Sequence, residues 1–551
     1  MERRSFLSSM RGSNLSQEVA LETAPPSVAS LDKYTGPWNV QTTNHLLRRT
    51  TFGVPYIQLV NASKLGMDAL INQLFSTPQP IDPPLNVDYT NDAEVPIGST
   101  WVNAKFGSND TIYRYRSIRS WMAQNTLTPE IHIRHKMAIF WHNHFAISDV
   151  SDGRFLWKYI NLFYDNYAGD FKKLVNEITI DPSMLRFLDG RLNTRRSPNE
   201  NYARELLELF TIGKGPIAGP GDYTNYTETD ILALAKILTG WSDVGYLSST
   251  RSGFGSVFNA GNHETADKQL SHRFDNVVIK NSNANEYKDL VNIIFSKDEV
   301  SKFIARKLYR YFVYYKIDQE IEDGIIEPMA RLIRNNNNEI KEALVALLSS
   351  QHFYDKKIIG GMIKNPQDLM ASAGNILGLT LSNVIRTRYS YLYNWSFYSG
   401  NILQMTTFEH PSVSGWKAYY QTPTFYQGWI NSVTLPSRIQ FLNTLHKTNS
   451  TRNGLNVMID AALFAQSTSN PNDINQLIAD ISLLMLPKAP TNAQLTRFRT
   501  ILNGAKTDQS WKEAYDRWRA APNDANLKRV VNDSVRALLA YISYMPEYQL
   551  S

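Results

Sequence analysis

The chain has 551 residues, of which 42% are hydrophobic, and it contains no cysteine. This composition predicts a globular protein with a sizeable core, and it excludes disulfides, thiolate metal sites and a cysteine nucleophile. The net charge is +6, from 57 basic and 51 acidic residues, and the basic residues are spread along the chain. Because nucleic-acid binding usually needs a basic arm or stripe, we expect no nucleic-acid partner.

Residues 1–40 are rich in Ser, Pro and Gly and predict a flexible N-terminal arm. The arm starts with ERRSFL at residues 2–7, which is similar to the twin-arginine export consensus. The apolar run of roughly 7–15 residues that a signal peptide needs does not follow, so the export signal looks incomplete. No stretch approaches the roughly 20 apolar residues of a membrane span, and we expect no transmembrane segment.

Apolar residues recur with the helical period from Asn44 onward, whereas period-two runs are too few for a large sheet. The pattern predicts helices at about 44–52, 56–75, 111–126, 128–146, 154–178, 198–212, 227–239, 285–296, 298–316, 321–334, 338–351, 365–378, 435–447, 455–466, 472–486, 493–504, 508–520 and 526–543. Residues 77–110 and 241–283 are expected to form long irregular loops. The predicted fold is therefore all-α with little or no sheet. It has one large multi-helix domain over residues 41–440 and a helical C-terminal subdomain over residues 441–551.

Two histidines stand among large apolar residues in the segment WHNHF at residues 141–145. Successive residues of a helix turn by about 100°, so His142 and His144 would point about 200° apart. Together with Glu205 they are candidate ligands for a divalent metal, provided that the helix ends or unwinds near Asn143. The alternative is that each histidine is a core residue that donates to a backbone carbonyl.

The predicted helix over 198–212 carries a polar stripe opposite its apolar face. The candidate acid–base and charge-stabilising groups in it are Glu200, Arg204, Glu205 and Glu208. Apolar flanks would raise the pKa of a carboxylate enough for acid–base work. The alternative is a solvated helix surface in which Arg204 bridges Glu200 or Glu208.

The third candidate is the loop 262–268, which contains His263, Glu264 and Lys268. A histidine, a carboxylate and a lysine on an irregular segment are typical of a site that closes over a ligand, although surface loops are polar for trivial reasons too. No Walker loop, dinucleotide glycine pattern, Gly-x-Ser-x-Gly elbow or His-Glu-x-x-His motif occurs. Nucleotide enzymes, common serine esterases and zincins are therefore disfavoured.

Several segments resemble, in order and spacing, those of a bacterial family catalogued as domain of unknown function 1800. They are HLLRR at 45–49, TFG at 51–53, KM at 136–137, FWHNHF at 140–145, the run from Pro198 to Gly213, LTGW at 238–241, FIARKL at 303–308, Pro411, GW at 415–416 and WIN at 429–431. Where relatives usually have Glu and His-Asp, this chain has His135 and His263-Glu264. The resemblance implies a periplasmic or envelope-associated location, although the incomplete signal leaves a cytoplasmic one open. It also implies an exported sulfatase-like partner encoded by a neighbouring gene.

Our leading hypothesis is an envelope-associated or exported hydrolytic enzyme in which a carboxylate and a histidine share acid–base work, with a divalent metal as a candidate cofactor. Its site residues would be His142, His144, Glu200, Arg204, Glu205, Glu208, His263 and Lys268. The first alternative is a non-catalytic scaffold or partner-binding protein that uses the same residues as a buried polar network. The second is a polymer-binding or carbohydrate-binding module that uses Tyr and Trp from the loops at 77–110 and 385–430.

Overall fold

The computed structural model describes residues 29–107, 110–447, 451–452, 455–456, 459–504 and 506–551. The twin-arginine-like start and most of the expected arm lie outside the described residues. The first helices are α1 (Val40–Thr50), α2 (Tyr56–Ser63), α3 (Met67–Leu74), α4 (Asp110–Thr126), α5 (Arg134–His144), α6 (Gly153–Asp165), α7 (Phe171–Thr179), α8 (Pro182–Phe187), α9 (Glu200–Glu205), α10 (Glu228–Ile237) and α11 (Glu286–Ile294). Helix α9 continues as a π-helix over Leu206–Thr211.

The second half of the chain is helical as well. Its helices are α12 (Asp298–Phe312), α13 (Gln319–Ile321), α14 (Glu327–Asn335), α15 (Lys341–Leu348), α16 (Pro366–Ile376), α17 (Ile385–Phe397), α18 (Thr434–His446), α19 (Ala461–Gln466), α20 (Ile474–Met485), α21 (Asn492–Asn503), α22 (Asp508–Ala520) and α23 (Ala525–Tyr544). Two more π-helical segments, Glu322–Ile326 and Tyr398–Ile402, join or extend these helices.

Extended structure is confined to four antiparallel pairs of short strands among the described residues. The pairs are β1 (Ile217–Gly219) with β2 (Asp222–Tyr223), β3 (Trp241–Val244) with β4 (Gly255–Phe258), β5 (Lys268–Gln269) with β6 (Val278–Ile279), and β7 (Thr451–Arg452) with β8 (Leu455–Asn456). The all-α prediction with little sheet is therefore confirmed.

Local capping explains where several helices begin and end. Thr227 and Asp230 exchange hydrogen bonds in a capping box at the start of α10. Helix α9 begins at Glu200 and not at residue 198 as predicted, because Asn199 is its N-cap and accepts from the backbone N–H of Asn201. Gly213 (φ 75°) ends the π-helical segment in the left-handed conformation that favours glycine.

Several helix predictions differ from the structure. The helix expected over 455–466 begins only at Ala461, and Leu455–Asn456 form strand β8. The single helix expected over 56–75 is broken into α2 and α3 by Gly66, whose φ is 77°. The one expected over 154–178 is divided into α6 and α7, and Asp170 caps the start of α7. Helix α17 falls in a region predicted to be loop, because its alternating aromatic and polar residues do not show a clear helical period.

The buried apolar side chains form one contiguous cluster that extends from Leu46 in α1 to Tyr548. Helices on both sides of residue 440 contribute to it, and the division at that residue stays a prediction. None of the helices in the described residues is long and apolar enough to cross a bilayer.

The two segments WHNHF (141–145) and GW (415–416) interlock within this core. The side-chain oxygen of Asn143 accepts a hydrogen bond from the backbone N–H of Trp416 at 2.9 Å. A Cβ atom at Gly415 would lie 2.6 Å from the backbone oxygen of Asn143, and the φ of Gly415 is 89°. Only glycine satisfies both the backbone conformation and the close approach.

We expect Gly415→Ala to destabilise the protein by at least about 3 kcal/mol, because the left-handed conformation costs about 1–2 kcal/mol and steric overlap adds to it. Gly378→Ala is the matched control, since Gly378 also has a positive φ (71°) but no atom lies within 4 Å of the position that a Cβ would take there. Urea unfolding of the two variants measures the difference. Equal losses of stability would contradict the interlock.

Candidate functional site

His142 is fully buried and both of its ring nitrogens are used by the protein. Its Nε2 accepts from the backbone N–H of Phe408 (3.1 Å), so Nδ1 carries the proton and faces the hydroxyl of Tyr159 (3.1 Å). Burial, helped by His410, holds the pKa of His142 well below its ordinary value, and the ring is neutral. This geometry is that of a satisfied core histidine, which was the alternative interpretation.

His144 faces a different part of the core, as the helical spacing predicts. Its Nε2–H donates to the carbonyl oxygen of Phe210 (3.0 Å), and its Nδ1 accepts from the amine of Lys307 (3.1 Å). Burial and the neighbouring Lys307 lower the pKa of His144 well below its ordinary value. Lys307 also donates to the carbonyl of Leu209 (3.0 Å), so this pair ties α5 and α12 to the π-helical segment.

The proposed metal set of His142, His144 and Glu205 receives no support from this arrangement. The ring nitrogens of both histidines already have protein partners, and α5 runs without unwinding through Asn143. Among the described residues, no three His, Asp or Glu side chains converge as they would around a metal ion.

The polar stripe of α9 and the π-helix lies at the surface. Arg204 donates two hydrogen bonds to Glu228 (2.7 and 2.9 Å), while Glu200 is 3.9 Å away and half exposed. Glu208 accepts from the hydroxyl of Tyr226 at 2.8 Å. These contacts match the surface interpretation, although the main partner of Arg204 is Glu228, which sequence reasoning did not name.

Glu205 differs from the rest of the stripe. Burial and the nearby Glu208 raise its pKa to about 7, against the opposing effect of Arg204. It is partly exposed and precedes the π-helix directly. Such π-helical insertions are frequent at functional sites.

His263 and Lys268 meet at a carboxylate that the sequence prediction missed. Glu286, the first residue of α11, accepts from the Nε2 of His263 (2.9 Å) and lies 2.5 Å from the amine of Lys268. The side chains of all three are fully buried, and Nδ1 of His263 lies 2.9 Å from the carbonyl oxygen of Thr239 and 3.2 Å from its hydroxyl. This closed triad fixes the loop to α11. Within the described residues, no hydrogen bond or ion pair joins it to His142, His144 or the stripe of α9.

A cleft elsewhere in the molecule brings together cations that sequence reasoning did not select. It has a main compartment with a cavity volume of about 30 Å³ behind an open mouth, and an adjoining side compartment of about 10 Å³ whose walls share Arg48, Asp368 and Ser551 with it. The cationic side chains that line the two compartments are Arg48, Arg49, Lys136, Arg310 and Lys364. Asp368 is the only acidic side chain among the described residues lining them.

Arg49 is the cation best placed to contact a ligand in the main compartment. It is only 5% exposed, its Nη2 donates to the carbonyl of Ile358 (2.8 Å), and its Nε is buried without an acceptor among the described residues. Burial lowers the pKa of Arg49 to about 10, with Tyr426 and Asp368 opposing the shift. The guanidinium remains charged at neutral pH and has an N–H group left to donate.

The other cations of the main compartment contact protein groups, although the Nε of Arg48, like that of Arg49, is buried without an acceptor among the described residues. Arg48 donates to the carbonyls at the C-terminal end of α20, including that of Leu486 (3.0 Å), where the helix dipole favours a cation. Lys136 forms an ion pair with Asp368. The second oxygen of Asp368 accepts from the side-chain amide of Asn365 (2.8 Å), so each oxygen of this carboxylate has a protein partner.

Aromatic side chains form the remaining wall of the main compartment. They are Tyr311, Tyr315, Tyr419, Phe425, Tyr426 and Trp429. Four of them come from the segment 419–429, which lies in a region that the polymer-binding hypothesis selected. Flat rings beside a few charged groups are typical of a site for small organic ligands.

Local sequence patterns carry only a weak signal for this cleft. Arg49 lies three residues after Leu46, on the side of α1 that the helical period assigns to the core. A charged residue at a core-facing position is rarely buried unless it has a partner, and Arg49 could have been selected as a candidate on this ground. Lys136 and Asp368 are 232 residues apart, and nothing in their local patterns links them.

The architecture and the cleft define a large helical protein with a buried cationic cavity. The family model described as "Protein of unknown function (DUF1800)" matches residues 45–550, and the chain belongs to this family. The match confirms the resemblance and extends it through the C-terminal helices. No curated protein and no solved structure matches the chain.

We expect Glu286→Gln to cost about 3–5 kcal/mol of stability, because it leaves Lys268 buried without its counter-charge. Glu320→Gln, at an exposed position in α13, is the control and should change stability by less than about 0.5 kcal/mol. Urea unfolding followed by circular dichroism measures both values. A loss below about 1 kcal/mol in Glu286→Gln would show that the triad is not structural.

Proposed function

We propose that the protein binds an acidic saccharide, with an anionic group of the sugar on Arg49 and the sugar ring against the aromatic wall. The single observation that carries this proposal is the excess of buried positive charge. Five cationic side chains line the cleft with one acidic side chain, and a buried N–H of Arg49 has no acceptor among the described residues.

The energetics favour an anionic occupant. Each buried charge without full compensation costs several kcal/mol of desolvation. An entering carboxylate or sulfate recovers part of that cost, because it pairs with a guanidinium that is already desolvated and oriented. The aromatic wall adds contact area for the apolar faces of a sugar ring while tyrosine hydroxyls stay available for polar contacts.

This proposal develops the polymer-binding hypothesis and moves its site into the cleft. The periplasmic or envelope-associated location and the sulfatase-like partner remain proposals that rest on the family resemblance. A preference of the cleft for sulfated over carboxylated sugars would support that partner.

We expect glucuronate to bind the wild-type protein and neutral glucose not to bind, as measured by isothermal titration calorimetry. Arg49→Gln should weaken glucuronate binding at least about tenfold, since a charge-assisted hydrogen bond contributes about 1.5–3 kcal/mol. Arg331→Gln, at an exposed position in α14, is the control and should leave binding unchanged.

The same titration with glucose 6-sulfate tests the second type of anionic group. Thermal unfolding of Arg49→Gln confirms that the variant is folded, and Arg49→Lys tests whether charge without the guanidinium fork is sufficient. If neither acidic sugar binds the wild-type protein, or if Arg49→Gln binds as tightly as the wild type, the proposal is wrong.

A second candidate function keeps the hydrolytic hypothesis at Glu205. The observation that favours it is a partly exposed carboxyl group with a pKa of about 7, the range in which a general acid or base works best. Turnover of p-nitrophenyl acetate, phosphate and sulfate by the wild type, lost in Glu205→Gln and retained in Glu208→Gln, would support it. No turnover, or unchanged turnover in Glu205→Gln, would count against it.

The raised pKa of Glu205 also predicts how the stability of the protein changes with pH. Its pKa is raised in the folded protein, so its contribution to stability is present below pH 4.5 and is lost as the pH rises through about 7. We expect Glu205→Gln to raise stability at pH 8 by about 1–2 kcal/mol, less than the full shift corresponds to because solvent screens the group. At pH 4 the variant and the wild type should be equally stable. Urea unfolding at the two pH values checks this, and an equal effect at both would contradict the raised pKa.

A further inference from the structure

The cleft is closed in this structure, although the proposed function needs it to admit a sugar. Its main compartment has a volume of about 30 Å³ and its side compartment a volume of about 10 Å³. Because one buried water needs roughly 10–15 Å³, the two compartments have room for only a few water molecules. A sugar therefore enters only if part of the wall moves.

One part of the wall is a short segment that both compartments share. Ser551 lines the two compartments and is only 8% exposed. Residues 549–551 run antiparallel to residues 362–364, which line the cleft as well. Displacing Ser551 would therefore enlarge both compartments at once and would open a path from solvent to the cations.

The chain is firmly anchored as far as Gln549 and only lightly held beyond it. The side-chain oxygen of Gln549 accepts from the Nε of Arg438 (2.8 Å), and its backbone oxygen accepts from the N–H of Lys364 (2.8 Å). Beyond Gln549, the hydrogen bond from the backbone N–H of Ser551 to the carbonyl of Met362 (2.9 Å) is the one that ties the segment to residues 362–364 among the described residues. Residues 550–551 can therefore leave the cleft while the buried residues before them stay in place.

The other walls of the cleft belong to elements that are fixed in the core. Arg48 and Arg49 lie on α1, whose residues 43–50 are all buried. The aromatic wall is anchored by the hydroxyl of Tyr426, which donates to the carbonyl of Gly361 (2.7 Å), and by Trp429, which is 5% exposed. Moving either wall would expose buried apolar side chains, which costs much more than breaking the hydrogen bond of Ser551.

We propose that residues 550–551 form a strap that closes the cleft and moves out of it to admit the acidic sugar. The closed strap keeps the buried cations from solvent, and the open strap gives the sugar access to Arg49. The apparent affinity then depends on the fraction of molecules with an open strap, since the sugar binds only those. This inference rests on the proposed function, because it states how the ligand of that function reaches its site.

The strap can be locked by a disulfide to the strand-like segment on which it lies. Ile363 and Leu550 face each other as an antiparallel pair, and the hydrogen bonds of their chain neighbours lie on either side of the pair. In such a non-hydrogen-bonded pair the Cα atoms are about 4.5 Å apart, within the roughly 4.4–6.8 Å that a disulfide spans. Since the chain contains no cysteine, Ile363→Cys/Leu550→Cys forms no other internal disulfide.

We expect the oxidised double variant to bind glucuronate at least about tenfold more weakly than the reduced one, because the disulfide removes the open state. The reduced variant should bind as the wild type does. Isothermal titration calorimetry of one preparation before and after reduction measures both affinities. Gln269→Cys/Val278→Cys is the matched control, since it joins an exposed pair of the same type in β5 and β6 outside the cleft. Its oxidation should leave binding unchanged.

A variant that ends at Gln549 tests the strap in the opposite direction. It should bind glucuronate at least about threefold more tightly than the wild type, because no strap has to move before the sugar enters. Arg49→Gln in the same shortened chain should remove this binding. Thermal unfolding confirms that the shortened chain is folded.

The outcomes separate the two proposals. If glucuronate binds the wild type through Arg49 but the oxidised and reduced forms of Ile363→Cys/Leu550→Cys bind it equally well, the strap is wrong and the proposed function stands. The same holds if the variant that ends at Gln549 binds no more tightly than the wild type. If neither glucuronate nor glucose 6-sulfate binds the wild type, both proposals fail.

Discussion

The cleft depends on the way in which one carboxylate is placed among buried cations. Asp368 lies in the first turn of α16, where the helix dipole favours negative charge, and its backbone N–H is capped by Asn365. It pairs with Lys136 and acts electrostatically on Arg49, Lys364 and Arg438. Without this carboxylate, four segments of the chain would bring uncompensated positive charge together in the core.

Asp368 balances only part of the positive charge in the cleft, and this imbalance determines the chemistry of the cleft. A core that served stability alone would pair its charges fully or replace them by apolar groups. Here the Nε of Arg48, the Nε of Arg49 and the Nζ of Lys364 are buried without an acceptor among the described residues. The triad of His263, Lys268 and Glu286 differs from the cleft, since its three side chains are fully buried and both basic groups contact the same carboxylate.

The histidines of the WHNHF segment illustrate why chemically suggestive residues are often structural. His142 and His144 fill polar positions on opposite sides of α5, and each uses both ring nitrogens to join α5 to distant segments. Asn143, which lies between them, accepts a hydrogen bond from the backbone N–H of Trp416. Gly415 permits this close approach because it has no Cβ. The helical angle of about 100° per residue predicted their divergence, but it could not name their partners.

The sequence by itself determined the helical class, most helix positions and the family, because periodicity and capping are local properties that a few neighbouring residues encode. It also placed Glu205 on a polar stripe, although the raised pKa depends on burial that only packing supplies. The tertiary structure decided which charges meet. Lys136 and Asp368 pair across 232 residues, and Glu286 closes the triad from a helix outside the selected loop. Such contacts follow from how helices pack, and the local period of a helix carries no information about which distant helix its buried face will touch.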